Sequence, residues 1–298
     1  MTRALAAFAA LLFAVAACVQ IPIGERVIFQ PPKRSVNEQT VPRAFPQEAL
    51  LKARAYGVSG ANPDIQHQYV ETAGGEIAVT LARAAGHDVL FVHCGGNGAD
   101  RLGAGQWYTD QVLRHGNVLL FDYPGYGDTP GPLSAARLQA SLPELVSFAK
   151  DQSGGAPIVY WGLSLGGQVC ARMAELDPDA AAVIVEASGP SIDVMIDDVR
   201  PDWLGPFLRT RATQSIAWLN AEEALSGRDI PILIIDAGAD RLLPGRLGAD
   251  LADSLREAGN DTVTYRVMPE RDHNASRLDP AFHPTVREFL SEALFTER

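Results

Sequence analysis

Basic runs, metal-ligand spacings and long apolar stretches are all missing from most of this sequence. It has 298 residues and a formal net charge of -11. An acidic chain with no basic patch does not fit nucleic-acid binding, and the surplus charge reads as simple solubility. The three cysteines and six histidines show no zinc-type spacing. There is no phosphate-cradling Gly-x-x-x-x-Gly-Lys, no dinucleotide fingerprint with a later acidic residue, and no internal repeat. No cofactor is expected. Hydrophobic residues make up 47% and charged residues 20%, which allows a substantial core in one large domain.

The one long apolar run is at the start. Arg3 precedes residues 4–17, which are all Ala, Leu, Phe or Val. This is short for a membrane span but fits the core of a signal peptide. It ends in Val15-Ala16-Ala17-Cys18, which resembles the bacterial lipobox, where the cysteine becomes the acylated first residue of the mature protein. Each buried CH₂ of an acyl chain contributes about 0.8 kcal/mol, so several chains would hold the protein on a membrane. The expectation is a lipoprotein signal peptide over 1–17, lipidation at Cys18 and residence in the bacterial cell envelope. An ordinary secretory signal with an incidental Cys18 is the alternative. Residues 18–65, rich in Pro and Gln, read as an extended tether with a short helix over 46–56. Cys94 and Cys170 then remain. An oxidising compartment permits a disulfide between them, but they read as two separate buried thiols.

From residue 66 the pattern alternates. Strands are predicted over 66–72, 76–83, 88–93, 117–122, 157–162, 181–187, 230–236 and 262–268. Helices are predicted over 101–115, 134–152 with Ser134 as N-cap, 165–176, 245–258 and 280–295. Such alternation predicts a mostly parallel sheet covered on both faces, with an antiparallel hairpin at an edge. Residues 189–228 interrupt it and form either a small lid or packing over the sheet edge.

Gly162-Leu163-Ser164-Leu165-Gly166 sits between an apolar strand and a helix. A serine on so sharp a turn needs neighbours without a Cβ, and the following helix aims backbone N–H groups at the reacting centre. A serine hydroxyl is a weak nucleophile and needs a base oriented by a carboxylate. Asp240 follows a buried strand and a Gly turn. Asp236, at the strand end, is its rival and reads as a loop brace. His273 follows the last predicted strand in a short loop. Of the other histidines, His67 and His87 lie at early strands, His283 opens the last helix, and His115 ends a helix where a cation suits the dipole. The loop His93-Cys94-Gly95-Gly96-Asn97 follows the third strand. Cys94 has no base arranged for it and reads as packing.

Together these motifs, with Asp122-Tyr123-Pro124-Gly125-Tyr126-Gly127, resemble α/β-hydrolases from residue 66 onward, most closely the human ABHD-type and bacterial serine hydrolases with a small lid. The resemblance implies an eight-stranded α/β-hydrolase fold over 66–298 and a Ser164–Asp240–His273 triad. It implies an oxyanion hole from the N–H of Leu165 and a second donor, Asn97 or Gly95 according to the alignment, with Asn97 preferred. The loop around His273 departs from the family's Gly-Gly-His-Asn, having Arg271 and Asp272 where glycines stand. The implied activity is hydrolysis of a small acyl ester, thioester or lipid. Peptidase and acyltransferase chemistry use the same residues, and a non-catalytic scaffold on the same fold is the reading from another class.

Overall fold

The computed structural model describes residues 19–32, 63–84, 86–103, 111–200, 208–244 and 246–295. The leader, Cys18, the helix expected over 46–56 and the middle of the helix expected over 101–115 lie outside these.

Ten strands are described: β1 (Val19–Ile23), β2 (Asp64–Val70), β3 (Ile77–Arg83), β4 (Leu90–Cys94), β5 (Asn117–Phe121), β6 (Ile158–Leu163), β7 (Ala182–Glu186), β8 (Leu208–Ala212), β9 (Ile232–Ala237) and β10 (Val263–Met268). The helices are α1 (Glu25–Ile28), α2 (Ala135–Ser153), α3 (Leu165–Leu176), α4 (Ile192–Asp198), α5 (Ala221–Leu225), α6 (Leu247–Glu257) and α7 (Phe282–Phe295). Eight strands form one sheet in the order β10-β9-β7-β6-β4-β5-β3-β2. β3 runs antiparallel to both its neighbours and every other pairing is parallel. The predicted α/β-hydrolase architecture is therefore the observed one.

Period-two alternation divides the core. Phe91, Val118, Val159, Trp161, Ile184 and Leu233 pack with Phe282, Val286 and Phe289 of α7 on one face. Val92, Leu119, Tyr160, Val185 and Ile232 pack with α2, α3 and α6 on the other. Both faces are thus dry, as continuous apolar strands require. Helix α2 buries Leu138, Leu142, Leu145 and Ala149, an i, i+4, i+7 stripe. Ser134 caps it by accepting from the N–H of Arg137. Such a cap is worth about 1 kcal/mol.

Three readings are corrected. First, residues 19–32 are not a tether. β1 pairs in parallel with β8, Phe29 is buried edge-on against Tyr123 and Tyr126, and Glu25 accepts from the N–H of Ala135 at the start of α2. A carboxylate there also complements the helix dipole. Proline content signals an extended chain, but an extended chain is also what a ribbon strand needs. Second, Cys94 and Cys170 are disulfide-bonded, with Cα atoms 5.8 Å apart. β4 and α3 bring together residues separated by 76 positions, which no local pattern reveals. Third, His115 is no cation. It is buried against His283, 2.9 Å from Nε2 to Nδ1, and burial pushes its pKa down to about 3.

Candidate active site

Strand order reverses about β4: β5 lies on one side and β6 on the other. In open α/β sheets the crevice at such a reversal, beyond the strand carboxyl ends, is where ligands bind. Ser164, Leu165, Asn97, Asp240 and His273 lie at that end, and Cys18 lies outside the described residues.

Ser164 joins β6 to α3 with φ 54° and ψ -122°, a backbone region costly for a residue with a side chain. Its N–H donates to the carbonyl of Glu186 and its carbonyl accepts from Gly167. The turn demands its glycines. A Cβ on Gly162 would lie 2.1 Å from the carbonyl oxygen of Gly166, and one on Gly166 would lie 2.0 Å from that of Cys94.

Asp240 follows β9 and His273 follows β10. Asp240 Oδ1 accepts from the N–H of Leu242 and of Leu243, both at 2.8 Å. Its Oδ2 is 2.6 Å from His273 Nδ1. Both side chains are buried. Asp240 thereby holds the imidazole by Nδ1 and leaves Nε2 as the other ring nitrogen. Asp236, the rival carboxylate, accepts from the hydroxyl of Tyr265 and from the N–H groups of Gly248 and Ala249 at the start of α6. Burial pushes its pKa up to about 6. It braces the loop, as expected.

The Arg271-Asp272 departure has a structural use. The Asp272 carboxylate accepts from the N–H of Arg241 and of His273, which hold its pKa down, and it pairs with the Arg241 guanidinium at 3.0 Å. The N–H of Ala239 donates to the Arg271 carbonyl. The loops carrying Asp240 and His273 are thus sewn together, a constraint that glycines alone do not supply.

The loop after β4 is held by the Asp122–Gly127 turn. Tyr123 donates its hydroxyl to the carbonyl of Gly95, and Tyr126 donates to Asn97 Oδ1, which also accepts from the N–H of Gln30. Asp122 accepts from the N–H of Arg101 and of Asp128, and burial pushes its pKa up to about 6 against the opposing pull of Arg101. Asn97, Ser164 and Leu165 line one cavity, whereas Gly95 faces a different one.

That cavity has a volume of about 460 Å³. Ile23, Val27, Ile28, Ile192, Met195 and Leu243 make its walls mostly apolar. Residues 189–228, expected to form either a small lid or packing, contribute to both the cavity wall and the core among the described residues. α4 and Thr210 wall the cavity, while Ile216, Leu219, Ala221 and Leu225 are buried in the core with α3. Gln168 on α3 joins the halves, donating to Ser188, to the carbonyl of Gly189 and to Met195 Sδ, and accepting from the N–H of Ala221. Trp203 and Phe207, also placed in this segment, lie outside the described residues.

Sequence reasoning missed a buried charge group under the site. Arg277, four residues past His273, pairs with Glu186 at 2.8 Å and lies 4.8 Å over the ring of Trp161. Trp161 donates to the same Glu186 oxygen, and Arg277 reaches His93 Nε2 at 3.0 Å. Burial and the guanidinium drive the His93 pKa well down. The backbone of Glu186 holds Ser164 while its side chain holds the segment after His273. An acid at a strand end and an arginine shortly after His273 are the only sequence traces of this group.

A family model described as the alpha/beta hydrolase fold matches residues 89–226. An uncharacterised Mycobacterium tuberculosis protein is 31% identical over 206 residues, covering 67% of this chain and 68% of that one. The rat lysophosphatidylserine lipase ABHD12 is 29% identical over 235 residues, covering 71% of this chain and 58% of the rat protein. Human ABHD12B is 25% identical over 222 residues, with 68% of this chain and 60% of its own length covered. The chain thus spans somewhat over half the length of these mammalian relatives. Among solved structures, an esterase of Pyrococcus furiosus superposes with a TM-score of 0.64 at 16% identity, over 89% of this chain and 99% of that one. A thermostable Pseudomonas putida esterase gives 0.57 at 18% identity, over 89% of this chain and 94% of that one, and its fold is the same. By its sequence match to the family model and its kinship with the mycobacterial protein, the chain belongs to the alpha/beta hydrolase fold family.

Proposed function

We propose that this protein is a serine hydrolase that cleaves esters or thioesters of apolar acyl groups through an acyl-enzyme. The observation that carries the reading is the 2.6 Å contact of Asp240 with His273 Nδ1 at the same sheet end as the strained Ser164. Ser164 Oγ attacks the acyl carbonyl while His273 Nε2 takes its proton, and Asp240 stabilises the imidazolium that forms. The N–H groups of Leu165 and Asn97 receive the oxyanion, each worth about 2.7–4 kcal/mol in the transition state. The alcohol or thiol leaves with the proton from His273. Water, deprotonated by His273, then releases the acid and restores Ser164. The apolar cavity supports an acyl chain or lipid as substrate, in keeping with the lipase activity named for the rat relative.

The test is labelling by a fluorophosphonate probe. Wild type is expected to label and Ser164→Ala is not, with both folded by circular dichroism. A folded, unlabelled wild type would return the protein to the scaffold reading.

The protein is further proposed to reside in the bacterial cell envelope, anchored through acylated Cys18 after removal of residues 1–17. The Cys94–Cys170 disulfide supports an oxidising compartment. Cys18→Ala is expected to move the protein from the membrane to the soluble fraction. Unchanged fractionation, or a mature N-terminus with no added acyl mass, would count against the anchor.

A further inference from the structure

The cavity above Ser164 opens through a rim drawn from distant parts of the chain. Val27 on α1, Val199 just past α4 and Leu242 beside Asp240 all line it, yet they are 55%, 52% and 55% exposed. Ile21 on β1 lies in register with Thr210, another lining residue, and is 41% exposed. Single exposed hydrophobics are ordinary, but their convergence on one opening marks an interaction surface.

The exposed charge of the segments that form the rim runs against that of the chain. The protein carries a formal -11, yet Arg26 next to Val27 is exposed, and so are Arg209 and Arg211, which strand alternation places on the ribbon face opposite Thr210. The acidic groups of the same segments, Asp198 among them, are at most half-exposed, and four of them are engaged within the fold. Glu25 accepts from Ala135, Asp193 from the N–H of Ala212, Asp197 pairs with Arg200, and Asp240 holds His273. An apolar rim bordered by arginines matches the two attractions of an anionic membrane, its acyl layer and its head-group charge. The proposed anchor points the same way: Cys18 immediately precedes β1 in the sequence, and β1 is part of the cavity wall.

We propose that this rim seats on an anionic lipid surface, so that an acyl chain passes from the bilayer to Ser164 without crossing water. The inference rests on the ester-hydrolase reading for its use, but its lipid contact is tested apart from the chemistry.

The experiment uses the chain from Val19 to Arg298, which holds every described element and lacks both Cys18 and the apolar leader. Binding to phosphatidylglycerol vesicles and to phosphatidylcholine vesicles is measured by co-sedimentation. Wild type is expected to bind the anionic vesicles in preference. Arg26→Gln/Arg209→Gln/Arg211→Gln is expected to bind them at least about tenfold more weakly. Ile21→Ser, a single change on the exposed face, is expected to weaken binding to both vesicle types. All variants should keep wild-type fluorophosphonate labelling and hydrolysis of a water-soluble short-chain ester. A labelled wild type that ignores both vesicle types would overturn the proposal, as would variants that bind like wild type. A rim covered instead by a second copy would show as a dimer in sedimentation with no vesicle binding, and would equally overturn it. Charge-dependent vesicle binding by a protein that never labels would uphold the lipid contact and refute the hydrolase reading.

Discussion

Asp240→Asn is expected to lower ester hydrolysis by about 10⁴-fold while leaving the fold intact. The size of the loss follows from the direction the new amide must face. Oδ1 of Asp240 accepts two backbone N–H groups, from Leu242 and Leu243. An asparagine must put its carbonyl oxygen there, because its NH₂ would meet two donors. The NH₂ then faces His273 Nδ1, now 2.6 Å from Oδ2. Nδ1 becomes an acceptor, the ring proton moves to Nε2, and the nitrogen that should take the Ser164 proton is already occupied. The check is kcat/KM on a chromogenic ester together with the rate of fluorophosphonate labelling, and both should fall. Retention of more than about a tenth of wild-type activity would remove Asp240 from the proposed triad. Asp236→Asn provides the contrast. Its partners are Tyr265 and the start of α6, so its effect belongs to stability rather than to the pH or rate of the reaction.

Cys94→Ala/Cys170→Ala is expected to lower the unfolding free energy by roughly 4.5 kcal/mol from chain entropy alone. The closed loop is long, the cysteines having a sequence separation of 76. Both side chains are wholly buried in the core, so the alanines also leave a void. For a domain of this size the combined loss corresponds to a fall in Tm of about 10 °C or more. The bond has a second consequence at the site. Cys94 leads directly into Gly95–Asn97, and Cys170 lies on the helix that starts at Leu165, so it ties together the two proposed oxyanion donors. Thermal unfolding of the double variant, with thiol counting on denatured wild type, checks the argument. An unchanged Tm, or two free thiols in the unreduced protein, would contradict it.

Much of the architecture was legible because it is written in local patterns. Most strands of the sheet are short apolar runs bounded by turns, the polar edge strand β2 being readable only from its hairpin with β3, and α2, α3, α6 and α7 follow amphipathic or capped segments. The elbow at Ser164 was readable because steric need there is severe enough to demand glycine on both sides. Asp240 and His273 were readable from their order along the chain and their positions after strands. What escaped depends on distance in space. The pairing of β1 with β8 has no local signature. The same holds for the disulfide and for the Glu186–Arg277 pair. Asp272 is a different case: it looked like a departure from the family pattern, and it replaces backbone freedom with a bond to Arg241. The choice between Gly95 and Asn97 also lay beyond alignment: Asn97 shares a cavity with Ser164, which supports it as the proposed donor.

The parallel pairing of β1 with β8 carries a consequence for how the protein is made. Its two strands lie roughly 190 residues apart, among the most non-local contacts a domain of this length can form, and such contacts are the last to be rewarded during folding. Residues 19–23 are therefore held in waiting until β8 is available. The large sheet can assemble before them, since none of its eight strands pairs with β1. The cavity beside Ser164, with Ile23, Val27 and Ile28 in its wall, is completed only when β1 closes onto a finished core.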